Sequence, residues 1–180
     1  MKFLEINKDD YRAFWENHPL KTFLSAPEIS DLRKKSGWES YFVGVKDKNR
    51  LVAAAMIFSH KRHLGKYEFY SPRGLLADFS DREVLGFFLK EIKKFVKNHN
   101  GYVFRMDPYL INRERDIDGN VVEGGVDNRD VVRFLEDFGF KKTSVLDMEQ
   151  VSWMFSLGLE GKDEKQILKS LQENDHTFDL

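Results

Sequence analysis

The 180-residue sequence contains no cysteine. Disulfides, thiolate metal sites and a cysteine nucleophile are therefore excluded. It has only four prolines, and no apolar run approaches the roughly 18 residues that a membrane-spanning helix needs. Glu5 breaks the apolar stretch at the N-terminus, so no signal peptide is expected. A charge excess is missing too: 29 Lys and Arg face 30 Asp and Glu, for a net charge of −1. A dedicated nucleic-acid binder ordinarily carries a basic surplus, so DNA is not an expected partner. Internal repeats and low-complexity segments are absent. What is present is a core: 41% of residues are hydrophobic and 16 are Phe. That composition predicts one folded domain and a soluble, cytoplasmic protein.

Hydropathy patterning sets out the elements. Phe3, Leu4 and Ile6 predict a short strand. Asn7 and Asp9 are cap candidates for a helix to about Glu16, with Tyr11, Phe14 and Trp15 on its apolar side. A second helix is expected from Pro27 with Ser25 as cap, closing at Arg33-Lys34-Lys35 before Gly37. Tyr41 to Val45, the turn Asp47-Lys48-Asn49-Arg50, and Leu51 to Ser59 read as a hairpin. Its second arm is almost continuously apolar, as befits a central strand. Tyr67, Phe69 and Tyr70 alternate as a third strand. A long helix follows from Ser80 and Asp81, with Leu85, Phe88, Leu89, Ile92, Phe95 and Val96 at helical spacing. Tyr102 to Met106 form a further strand, and Val131 to Phe138 a further helix. Final strands are expected within Val145–Leu159, and a short helix around Ile167 to Leu171.

Three consecutive hairpin-connected strands do not fit a purely parallel sheet. The expected fold class is α+β: a central mixed β-sheet with helices on both faces. This element order is similar to the GNAT acyltransferase fold. In that fold the loop after the third meander strand would cradle the pyrophosphate of acetyl-CoA. Here that region is Ser71-Pro72-Arg73-Gly74-Leu75, with one glycine and with Asp78 close behind. An acetyl-CoA-dependent N-acetyltransferase is thus the weaker alternative, and no cofactor is expected.

Metal chemistry is poorly supported. Asp116-Ile117-Asp118-Gly119 resembles a calcium loop, but with Gly119 at position six, position twelve is Gly125 where a bidentate Glu is required. His60 and His63 lack further ligands nearby. No Ser, His and Asp set stands out as a triad. The polar connection from Asp107 to about Asp127 is long enough to suggest a functional role.

Several blocks resemble one family, the Fem peptidoglycan-bridge aminoacyltransferases. They are Phe23-Leu24-Ser25-Ala26-Pro27-Glu28 with Lys34-Lys35-Ser36-Gly37-Trp38, Tyr70-Ser71-Pro72-Arg73-Gly74, and Arg105-Met106-Asp107-Pro108-Tyr109. Arg115-Asp116-Ile117-Asp118-Gly119, Gly124-Gly125-Val126-Asp127-Asn128 and Trp153-Met154-Phe155-Ser156-Leu157 continue the series. The resemblance implies transfer of an amino acid from aminoacyl-tRNA to the peptide of a UDP- or lipid-linked peptidoglycan precursor. It implies two GNAT-like modules in one chain, with residues 1–171 as a single GNAT-like first module that binds the precursor. It carries substrate-binding roles onto Arg33 or Lys35, Arg73, Tyr102, Arg105 and Asp107. Catalytic residues are not assigned.

Residues 172–180 form an acidic tail where the family is basic, and the second module with its catalytic Lys is not in this sequence. The expectation is therefore a precursor-binding module that does not itself hold aminoacyl-tRNA. Its membrane contact would be peripheral, through a lipid-linked substrate. The alternative from another class is a non-catalytic binding or partner module.

Overall fold

In the computed structural model, the structure describes residues 1–116, 118–143 and 160–175, with side chains to residue 169. The chain divides into two compact units, Met1–Thr143 and Ser144–Leu180. The first holds a five-stranded sheet in the order β1 (Lys2–Glu5), β2 (Glu39–Asp47), β3 (Arg50–Lys61), β4 (Tyr67–Ser71) and β5 (Gly101–Met106). The pairs β1–β2, β2–β3 and β3–β4 are antiparallel, and β4 and β5 are parallel. Between β1 and β2 lie α1 (Lys8–Glu16) and α2 (Ile29–Lys35); α3 (Arg82–Asn98) is the crossover from β4 to β5, and α4 (Arg129–Asp137) follows the long polar connection. This is the mixed α+β, GNAT-like fold. In the second unit the described element is α5 (Glu164–Asp175). The strands expected within Val145–Leu159 lie outside the described residues.

The apolar run of β3 has a direct cause. Ala53, Ala55 and Ile57 enter the core beneath α3, while Ala54, Met56 and Phe58 enter a second core with Tyr11 of α1. A middle strand buried on both faces cannot alternate polar and apolar residues. The β2–β3 turn places Lys48 and Asn49 at φ 44° and 70°, the left-handed pair that a two-residue hairpin demands. At the α3–β5 junction, a Cβ on Gly101 would sit 2.7 Å from the Val96 carbonyl oxygen and 2.8 Å from the Phe69 ring, so only glycine allows this close approach.

The helix caps largely follow the sequence. Asn7 accepts the Asp10 amide at 2.7 Å, and Asp81 accepts the Val84 amide at 3.0 Å. One expectation fails at α2, which begins at Ile29 rather than Pro27. Ser25 does not cap it. Its hydroxyl instead donates to the Thr22 carbonyl and accepts the Trp15 indole N–H, in a 3-10 turn over Phe23–Ser25. The turn satisfies these buried polar groups locally, and α2 starts without a side-chain cap.

Candidate functional site

β4 and β5 carry the candidate site because their two faces differ. Phe69, Phe104 and Met106 pack against the core beneath α3. Glu68 and Tyr70 point the other way, opposite His60 and Phe58 of β3, on the face where α1 and α2 lie. Arg105 is the β5 partner of Tyr70 and shares that face. The result is a row of charged and aromatic side chains on the α1–α2 face.

At the C-terminal end of β4 the chain turns sharply, with Arg73 at φ 47°. Asp107, just past the end of β5, holds this turn. Its Oδ1 accepts the Arg73 backbone N–H at 2.9 Å, and its Oδ2 lies 3.9 Å from the Arg73 Nε. The Arg73 guanidinium stands 5.7 Å from the Tyr109 ring centre, within cation–π range. Arg73 itself is 9% exposed. Burial pushes the Asp107 carboxyl above its ordinary value, against the Arg73 amide, the Tyr70 hydroxyl and the Arg73 charge, all of which favour the charged form. A carboxylate so placed can accept a hydrogen bond or a proton from an incoming amine or hydroxyl.

Glu68 forms a second ionic centre on the same face. Its side chain is 7% exposed and pairs with Arg62; its Oε2 lies 3.9 Å from Arg105. A buried carboxylate of this kind requires cationic partners. The Arg105 side chain, by contrast, is 40% exposed and presents donors to solvent.

Arg33 and Lys35 separate clearly. The Arg33 guanidinium lies 5.5 Å from the Trp38 ring centre and 5.8 Å from Phe58, on the same face as Tyr70 and Arg105. Lys35 is two residues on, about 200° around the helix, and is exposed. Tyr102 is the residue left without a counterpart where the β4–β5 register shifts: Tyr67 pairs with Gly101 and Glu68 with Val103. It is 58% exposed and lies about 16 Å along the strand from Asp107. Thus Arg33, Arg73, Arg105 and Asp107 share one face, whereas Lys35 and Tyr102 stand at its margins. Glu68, Arg62, Trp38 and Tyr109 join them without having been expected. Only the alternation of Glu68 with Phe69 hinted at the first of these.

A groove of about 1110 Å3 runs elsewhere, along the end of α1, the β2–β3 turn and the N-termini of α3 and α4. None of the six expected residues lines it. Its carboxylates are occupied in holding the fold. Asp78 accepts the Ser80 amide at 2.8 Å and hydroxyl at 2.6 Å, Asp81 caps α3, and Asp130 pairs with Arg82. The Asp107 cluster is therefore the better candidate.

The loop after β4 is likewise committed. The Arg73 amide donates to Asp107, the Gly74 amide to the Ser71 carbonyl at 3.4 Å, and the Leu76 amide to the Ala54 carbonyl at 2.9 Å. These are amides that a pyrophosphate cradle would need free. In the polar connection, Asp116 accepts the backbone amides of Asp118 at 3.0 Å and Asn120 at 2.8 Å, which makes it a turn former. Among the described residues, no three His, Asp or Glu side chains group to hold a metal ion, and no helix is long and apolar enough to cross a membrane.

The aminoacyltransferase FemB of Staphylococcus epidermidis is 31% identical over 174 residues, covering 94% of this chain and 41% of that protein. The aminoacyltransferase FemA of Staphylococcus aureus (strain bovine RF122 / ET3-1) is 27% identical, covering 95% of this chain and 42% of that protein. The chain thus spans about two fifths of the length of these relatives. Among solved structures, FemX superposes with a TM-score of 0.65 at 23% identity, over 78% of this chain and 32% of that one. That likeness supports the fold. The sequence profile of the FemAB family matches residues 6–177, and the chain belongs to that family.

Proposed function

We propose that this chain is the part of a Fem-type aminoacyltransferase that binds the peptidoglycan precursor, and that the face around Arg73, Arg105 and Asp107 is where the precursor sits. On this reading residues 1–171 act as a single precursor-binding module, and the face receives the acceptor rather than the aminoacyl-tRNA donor. A muropeptide precursor carries a diphosphate and carboxylates together with a peptide amine. Arg33, Arg73 and Arg105 suit the anionic groups, and Asp107 suits the amine. The observation that carries the reading is the braced pair of Asp107 and Arg73, which sets a partly buried acceptor beside a guanidinium on the face that also bears Arg105.

Charge-assisted hydrogen bonds of this kind contribute on the order of 1.5–3 kcal/mol each. A few of them, with the cost of association subtracted, give an affinity near millimolar, equivalent to about 4 kcal/mol. The test is an equilibrium titration of the protein with a UDP-linked muropeptide. Arg105→Ala is expected to weaken binding about tenfold or more. Unchanged affinity in Arg105→Ala and in Arg33→Ala would overturn the assignment.

A further inference from the structure

We propose that the chain docks on an anionic membrane surface through one end of its sheet, with the β3–β4 hairpin as the point of contact. The topology collects cations there. β2 begins directly after α2, β3 ends at Lys61 opposite Tyr67, and β5 begins at Gly101, also opposite Tyr67, directly after α3. The end of α2, the hairpin tip and the end of α3 therefore share one end of the first unit. They present Lys34, Lys35, Lys61, His63, Lys66 and Lys97, all exposed. Arg62 is tied to Glu68, and Glu39 is an exposed acid at this end. At the opposite end, the groove mixes both signs, with Asp47, Asp78, Asp81 and Asp130 beside Arg50 and Arg82.

The hairpin tip adds an apolar element. The Arg62 amide donates to the Lys66 carbonyl at 2.7 Å and the Lys66 amide to the His63 carbonyl at 3.2 Å, which closes the turn. Leu64 sits at its apex, 97% exposed, at φ 58° and ψ 27°. A left-handed apex favours Gly or Asn; a branched apolar side chain there gains nothing from the fold. A leucine held outward among lysines matches a surface of anionic headgroups over hydrocarbon. An RNA backbone would use the cations but leave Leu64 without a role. This contact is made by the protein's own surface and is independent of any lipid-linked substrate.

The test is co-sedimentation of the 180-residue protein with phosphatidylglycerol–phosphatidylcholine vesicles, compared with phosphatidylcholine alone. Binding is expected on the anionic vesicles only and should weaken with added salt. Lys61→Ala with Lys66→Ala should lower it about 25-fold, at about fivefold per cation. Leu64→Asn suits the left-handed apex and should fold at least as stably, yet lower the partition roughly tenfold. Lys48→Glu, on the β2–β3 turn at the other end, should bind as the parent does. Equal binding to neutral vesicles, no binding to either, or unchanged binding by Leu64→Asn would overturn the proposal. So would a folded RNA that displaces the protein from vesicles and binds parent and Leu64→Asn alike. No muropeptide is present, so this result stands or falls apart from the precursor reading.

Discussion

Asp107 holds Arg73 from two sides: one carboxylate oxygen accepts its backbone N–H at 2.9 Å, and the other lies 3.9 Å from its side-chain Nε. These residues are 34 positions apart in sequence. Their pairing ties the end of β5 to the turn after β4 and so fixes the geometry of the whole face. Asp107→Ala leaves the Arg73 amide without its acceptor and is expected to cost about 1–3 kcal/mol; Asp107→Asn keeps an acceptor and should cost less. The pair also has a pH signature. Burial raises the Asp107 pKa above its ordinary value of 3.8, so the folded state takes up this proton before the unfolded state does. The contribution of Asp107 to stability is greatest below the unfolded value and falls as pH rises through the folded one. Urea denaturation at pH 7, 5 and 4 should show the parent gaining on Asp107→Asn as pH falls.

His18 gives the opposite slope. Its ring lies 5.3 Å from that of Phe14, and its Nδ1 accepts the Leu20 amide at 3.2 Å, which requires that nitrogen to be unprotonated. Burial lowers its pKa from 6.5, with the Asp78 charge opposing. Stability from the neutral ring is present above the unfolded value and is lost as pH falls through the window below it. The parent should lose stability relative to His18→Gln between pH 7.5 and 5 in thermal melts.

Arg33 and Lys35 should behave differently although they are neighbours on one helix. Arg33→Ala removes a guanidinium stacked near Trp38 and Phe58 and is expected to cost about 0.5–1 kcal/mol. Lys35→Ala, at an exposed helix end, should stay within about 0.5 kcal/mol of the parent. Chemical denaturation of the two variants side by side separates them.

Acetyl-CoA should not stabilise the protein. The amides of Arg73, Gly74 and Leu76 are already spent on Asp107, Ser71 and Ala54. A specific ligand at about 100 times its dissociation constant would add about 2.7 kcal/mol. A dose-dependent rise in melting temperature would show that the loop reopens.

Much of this was legible in the sequence. The run Ala53-Ala54-Ala55-Met56-Ile57-Phe58 announced a strand buried on both faces, and Asn7 and Asp81 announced their helices. Arg73, Arg105 and Asp107 lie in separate blocks of the sequence, and the fold sets them on one face. The choice between Arg33 and Lys35 was not legible, because it depends on which side of a seven-residue helix meets the sheet. Tyr102 sits at a register shift that no local pattern encodes. Glu68 reads as an ordinary polar position of an alternating strand until β5 places Arg105 beside it. Ser25 reads as a cap because Ser before Pro27 has the same local chemistry in a 3-10 turn as at a helix start.

The most direct test of the precursor-binding face is a titration of isotope-labelled protein with UDP-linked muropeptide, followed by amide chemical shifts. Perturbations are expected to cluster at Arg73, Arg105, Asp107 and the end of α2, to saturate near millimolar ligand at about 4 kcal/mol of affinity, and to be abolished in Arg73→Ala/Arg105→Ala. Shifts confined to the groove around His18 and Asp78, or full binding by the double variant, would contradict it.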